Sequence, residues 1–149
     1  MKTVRITKIF EFEMAHALYH HDRKCKYIHG HSYKLAVTII GSPMHEEGAP
    51  HDGMLIDFGA FKKLINDEII CQFDHALLIN ANAPYTEMKN IELFDNTLIV
   101  PYQPTCENII LDFAERIKTK LPGRVRLFSL KMHETSSSFV EWFADENEL

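Results

Sequence analysis

The run Cys25-Lys26-Tyr27-Ile28-His29-Gly30-His31-Ser32-Tyr33-Lys34-Leu35-Ala36-Val37-Thr38-Ile39 places apolar side chains at every second position from Tyr33 onward, with His29 and His31 on the same parity. Alternation of this kind is the signature of a half-buried strand, in which residues two apart point to one face. The two imidazoles can then converge on one ion, and Gly30 leaves room between them. Two ligands do not hold a catalytic zinc, which has three protein ligands and an open position. His16 is the best candidate for the third, from Phe10-Glu11-Phe12-Glu13-Met14-Ala15-His16, where Phe10, Phe12, Met14 and His16 share a face, and nickel, copper or iron would accept the same imidazole donors. Two strands, Val4 to His16 and His31 to Gly41, thus deliver histidines from the core side to one end of a sheet. A loop rich in His, Asp and Lys joins them and carries Cys25.

Outward from these strands, Ser42 to Gly53 is polar, contains Pro43, Gly48 and Pro50, and reads as a turn or distorted hairpin extension with His45 and His51 at the surface. From Phe58, apolar residues at Phe61, Leu64, Ile65 and Ile69 have helical spacing, and Asp57 is placed as the N-cap. Turn signals and a short strand at Thr97 to Val100 occupy the stretch from Leu77 to Gln103. Thr105 caps a second helix whose apolar face is Ile109, Ile110, Phe113, Ala114, Ile117 and Leu121, stopped by Pro122-Gly123. Glu107 in its first turn favours the helix dipole. Strands at Arg124 to Glu134, with Phe128, Leu130, Met132 and Glu134 on one face, and at Ser138 to Ala144 complete the chain. The order predicts an α+β fold: a four-stranded antiparallel sheet with two helices on one face, formed by one domain spanning residues 1–149.

At 149 residues and 46% hydrophobic, the chain has material for one core. The formal charge of −5 gives no basic footprint for nucleic acid. The longest apolar runs fall far short of the roughly 20 residues that a membrane-spanning helix needs. No signal peptide is visible, so the expected compartment is the cytoplasm, and three cysteines fit reduced thiols rather than a disulfide framework.

The combination of Ala15-His16, Cys25-x3-His29-Gly30-His31-Ser32-Tyr33, Ile56-Asp57-Phe58, Phe73-Asp74-His75, Pro104-Thr105-Cys106-Glu107-Asn108 and His133-Glu134-Thr135 closely resembles the 6-pyruvoyl-tetrahydropterin synthase family, which includes 6-carboxytetrahydropterin synthase of queuosine biosynthesis. The elements occur in the family's order across nearly the whole chain. The resemblance implies a tunnelling fold, whose subunits join their sheets into a barrel with active sites at subunit interfaces, typically as a homohexamer of two trimers. Closing a barrel hides edge strands, a physical reason for a small sheet to oligomerise.

By the same resemblance, His16, His29 and His31 bind Zn2+, Cys25 is the proton-transfer thiol, and Asp74 with His75 forms the second acid/base group. Glu134 anchors the pterin, since a carboxylate accepts two hydrogen bonds from the 2-amino and ring N–H groups. Thr105 and Glu107 stand beside that ring, and Cys106 carries no chemistry. The implied substrate is 7,8-dihydroneopterin triphosphate, converted to 6-carboxy-5,6,7,8-tetrahydropterin, acetaldehyde and triphosphate, or in the alternative to the 6-pyruvoyl product. The Cys-x3-HGH spacing resembles the bacterial 6-carboxy branch, whereas animal pyruvoyl enzymes usually have a longer gap. Arg5, Lys8, Arg23, Lys24 and Lys26 lie near the proposed site in sequence, and most read as solvated surface charge. The rivals are a non-catalytic metal- or pterin-binding module and a zinc hydrolase that works without Cys25.

Overall fold

The computed structural model describes residues 1–147, so the last two residues of the expected 1–149 unit lie outside the described residues. The first two strands are long: β1 spans Val4–Ala17 and β2 spans His29–Gly41. They pair antiparallel with Met14 opposite His31 and His16 opposite His29. Alternation did what the side chains demanded. Phe10, Phe12, Met14 and His16 are buried along β1, and Tyr33, Leu35, Val37 and Ile39 along β2.

A helix, α1, begins at Phe58 and runs as Phe58–Ile65, a π-helical turn Asn66–Ile70, and Cys71–Phe73. Asp57 caps it, its carboxylate accepting the Ala60 N–H at 2.9 Å. Phe61, Ile65, Ile69 and Phe73 are its buried positions, four residues apart. In a regular helix that spacing overshoots by about 40° at each step. The wider π turn takes up the excess and keeps Ile69 and Phe73 on the sheet. The second helix, α2 (Cys106–Lys118), lays Ile109, Ile110, Phe113, Ala114 and Ile117 on the same face. Its N-cap is Thr105, whose hydroxyl accepts the Asn108 N–H at 3.3 Å. Phe113 is the keystone of the layer, 0% exposed, 4.9 Å from the Phe73 ring and 6.1 Å from Phe12. Phe113→Ala is expected to cost about 3–5 kcal/mol, read as a lower urea midpoint with unchanged m-value.

The sheet differs from the expected four antiparallel strands. It has six, adding β3 (Ala76–Asn80) and β4 (Thr97–Val100) to β5 (Val125–His133) and β6 (Phe139–Phe143), in the order β4-β3-β1-β2-β5-β6. β3 runs parallel to β1 and to β4, so the sheet is mixed. The cause lies in β3 itself, where four consecutive residues from Ala76 to Ile79 are buried. Leu78 joins the main core, whereas Leu77 and Ile79 pack on the opposite side with Ala17 and Ala83 beneath Met88, Phe94 and Tyr19. The stretch between β3 and β4 thus covers the back of β3. A strand buried on both faces shows no alternation.

A second correction concerns β5. Thr38 pairs with Ser129 but Ile39 pairs with Leu127, so Phe128 is the extra residue of a β-bulge. Parity reverses there. Val125 and Leu127 face the core together with Leu130 and Met132, and Phe128 leaves that row to lie under the Arg5 guanidinium at 4.4 Å. The Ser42–Gly53 excursion closes as a short hairpin extension, with Met44 and Met54 paired at 3.0 Å and His45 and His51 exposed. No helix among the described residues is long and apolar enough to cross a membrane.

Candidate active site

At the end of the sheet where β1 finishes and β2 begins, His16, His29 and His31 each offer one ligand atom within 4.8 Å of the others. The His16 Nδ1–H donates to the Pro104 carbonyl at 2.7 Å, and the His29 Nδ1–H donates to the Tyr27 carbonyl at 2.7 Å. Both Nε2 atoms therefore carry lone pairs, and these two atoms are 3.0 Å apart. Lone pairs at that distance repel unless a cation lies between them. His31 Nε2 is buried with no hydrogen-bond partner. Carbonyl acceptors that fix the tautomer of each ring are the usual outer support of a histidine metal site. The three-histidine group fits a metal ion on these grounds.

Burial lowers the His16 pKa from 6.5 to about 4, with the neighbouring rings of His29 and His31 adding to the effect against the Pro104 hydrogen bond. His31 is lowered as well, by burial first, while Glu134 pulls upward and His29 downward. Neutral imidazoles are the metal-binding form. In the metal-free protein His16 stays neutral in the fold down to about pH 4, whereas in the unfolded chain it takes up a proton below 6.5. Stability is therefore full above pH 6.5 and falls between 6.5 and 4, by on the order of 3 kcal/mol. Urea titrations of the metal-free protein across that window should show this decline, and His16→Gln should make it shallower, leaving the smaller part that belongs to His31.

A cleft of about 400 Å³ opens beside the cluster, lined by His16 and His29, by Cys25, by Thr105, Cys106 and Glu107 at the start of α2, and by Glu134. Cys25 sits in the short 3-10 turn Lys24–Lys26, held by the Leu18 N–H donating to its carbonyl at 2.9 Å. Glu134 follows β5, with Oε1 3.4 Å from His31 Nε2. Cys106 is buried, and burial together with Glu134 and Glu107 pushes its thiol up to about 12, which leaves it a neutral packing group. Gly30 does not act as expected. A Cβ there would meet only ordinary contacts, the nearest being the Met14 carbonyl at 3.5 Å, because position 30 points away from the histidine face.

Asp74 and His75 are brought together but not into this cleft. His75 adopts a left-handed conformation, φ 64°. Its N–H donates to the Glu13 carbonyl at 2.6 Å, while the Asp74 carboxylate accepts the Glu13 N–H at 2.9 Å. Asn96 donates to the His75 carbonyl. This clamp sets Asp74 Oδ1 3.0 Å from His75 Nδ1, the arrangement of a carboxylate orienting an imidazole. The imidazole lies exposed in a second cleft with Glu13, Gly30, Ser32 and Asn96, which shares only His31 with the histidine cluster and does not include Cys25.

Sequence reasoning did not single out several neighbours. Phe139 and Val140 of β6 form a wall of the first cleft, and His21 lines it from the loop. The Tyr33 hydroxyl is buried without a hydrogen-bond partner, and burial first, then Glu134 and Cys106, raises its pKa. The signal for Tyr33 was a hydroxyl on an otherwise apolar row. Arg5 and Lys8 lie away from the site, over Phe128 and Phe58.

Comparison with known proteins matches these features to one group. The family profile described as 6-pyruvoyl tetrahydropterin synthase covers residues 5–145. A 6-carboxy-5,6,7,8-tetrahydropterin synthase of Haemophilus influenzae is 34% identical over 141 residues, 93% of this chain and 97% of its own length. A dihydroneopterin monophosphate aldolase of Pyrococcus furiosus is 31% identical over 137 residues, 92% and 95% of the two chains. Among solved structures, the 6-pyruvoyl tetrahydropterin synthase of Plasmodium vivax superposes with a TM-score of 0.72 at 14% identity, over 95% of this chain and 98% of that one, which establishes a shared tunnelling fold. Fold, profile and relatives agree, and the chain belongs to the 6-pyruvoyl tetrahydropterin synthase family, an enzyme family of pterin lyases.

Proposed function

We propose that this protein is a zinc-dependent 6-carboxytetrahydropterin synthase of queuosine biosynthesis, acting on 7,8-dihydroneopterin triphosphate in the cytoplasm, with residues 1–149 as one catalytic domain. The observation that carries the reading is the cleft that joins Cys25 and Glu134 to His16 and His29 of the three-histidine group. The Haemophilus relative supports the 6-carboxy branch.

His16, His29 and His31 would hold the metal, and zinc bound there supplies a Lewis acid for the hydroxyls of the substrate side chain. Glu134 accepts hydrogen bonds from the pterin 2-amino and ring N–H groups and fixes the plane of the ring. Thr105 and Glu107 flank that ring from the start of α2. Cys25, as thiolate, takes a proton from a side-chain carbon, and its electron pair moves toward the ring. The His75 imidazole, held by Asp74, moves the second proton. Triphosphate leaves with its bonding electrons, a water is consumed, and cleavage of the side chain releases acetaldehyde.

Because His75 lies outside the Cys25 cleft of its own chain, the dyad serves the site of a neighbouring subunit in a homohexamer. Barrel closure would pair the free edges of the sheet, which in this chain are β4 and β6.

The test is mass spectrometry of the products after the zinc-loaded protein is incubated with 7,8-dihydroneopterin triphosphate. A 6-carboxytetrahydropterin with acetaldehyde supports the reading. A 6-pyruvoyl product moves the chain to the alternative branch, and turnover of the monophosphate alone moves it toward the Pyrococcus activity.

A further inference from the structure

We infer that the loop before Cys25 is an anion subsite, in which His21, Arg23 and Lys24 hold the phosphate tail of the substrate while its reacting carbons lie at Cys25. This deepens the lyase reading and rests on it. The chain as a whole is acidic, with a formal charge of −5. Between His20 and Lys26, however, Arg23, Lys24 and Lys26 face a single carboxylate, Asp22. Among the described residues, neither Arg23 nor Lys24 has an ion-pair partner, and the Asp22 carboxylate lies 3.8 Å from His21 Nδ1. Unpaired cations on an acidic protein concentrate an anionic ligand locally.

The loop is built rather than slack. The Leu18 N–H donates to the Cys25 carbonyl at 2.9 Å and closes it, the His21 N–H donates to the Leu18 carbonyl at 3.0 Å, and Gln103 Nε2 donates to the Tyr19 carbonyl at 2.6 Å. His20 takes the left-handed turn, φ 71°. The Arg23 N–H donates to His21 Nδ1 at 3.0 Å. With Nδ1 engaged as an acceptor, the ring hydrogen of neutral His21 is on Nε2, ready to donate to an oxygen anion.

Position completes the argument. A cavity lined by His21, Asp22, Arg23, Lys24 and Cys25 shares His21 and Cys25 with the catalytic cleft. A ligand that reaches Cys25 with its carbon skeleton can therefore continue into a basic recess. The other basic residues flanking the histidine strands do not compete, since Arg5 and Lys8 lie over Phe128 and Phe58, and the Lys26 ammonium lies 5.1 Å over its neighbouring Tyr27 ring.

The experiment titrates inorganic tripolyphosphate into the zinc-loaded protein by calorimetry at two salt concentrations, for wild type and the Arg23→Ser/Lys24→Ser double variant. Wild type is expected to bind it more weakly at higher salt, and the variant at least tenfold more weakly than wild type, while both bind unphosphorylated 7,8-dihydroneopterin equally. In turnover, KM for the triphosphate substrate should rise more than kcat falls. His21→Gln, which keeps a donor, should retain more tripolyphosphate affinity than His21→Ala. Equal tripolyphosphate affinity in wild type and double variant overturns the subsite. So does parallel loss of tripolyphosphate and dihydroneopterin binding, which would assign the loop a structural role. Absence of any turnover by wild type would instead sink the lyase reading, and tripolyphosphate binding would still decide the subsite.

Discussion

Replacing Cys25 by Ala should lower turnover of 7,8-dihydroneopterin triphosphate by about a thousandfold, in the range that a positioned acid or base contributes, while zinc content stays at the wild-type level. The thiol shares a cleft with His16 and His29 without belonging to the three-histidine group, so on the proposed reading its removal should leave the metal in place. Its removal should cost little stability, because Cys25 is only half-buried in a surface turn. Rates within tenfold of wild type would show that the thiol does not carry the proton and would favour the hydrolase mechanism. Metal analysis on the same samples keeps the two explanations apart.

His29→Ala should do the opposite, abolishing both metal and activity: zinc falls from one equivalent to a small fraction, because two imidazoles do not hold a zinc ion tightly. His29 is the better position to test than His16. It begins a strand and is half-buried, whereas His16 is 1% exposed and its truncation would leave a hole in the core. The variant should therefore keep its far-ultraviolet circular dichroism. Full zinc occupancy in a folded His29→Ala protein would place the metal elsewhere.

Much of this architecture was legible because alternation is a local signal. The rows Phe10 to His16 and Tyr33 to Ile39 gave the inner face of β1 and β2 and the meeting of the three histidines. Asp57 and Thr105 marked both helix starts by cap chemistry. What stayed hidden depends on contacts remote in sequence. β3 is buried on both sides, so nothing in Ala76 to Ile79 alternates, and its parallel pairing with β1 depends on where α1 delivers the chain. The proximity of Asp74 and His75 depends on a left-handed residue that Glu13 and Asn96 hold from other segments. Adjacent residues in a strand would have pointed apart. The tautomer of His21 was equally unreadable, since it follows from one backbone N–H meeting one ring nitrogen.

The bulge at Phe128 divides β5 into two reading frames. On one side Val125 and Leu127 point inward, and on the other Leu130 and Met132 do, leading to Glu134. A one-residue change in length upstream of Phe128 can be absorbed where the frames meet, by growth or loss of the bulge, without rotating Met132 or Glu134. Downstream no such buffer exists, and the same change would turn the carboxylate of Glu134 to the outer surface. The strand thus tolerates length variation toward the Val125 end and forbids it toward the cleft, an asymmetry that anyone grafting loops onto this scaffold inherits.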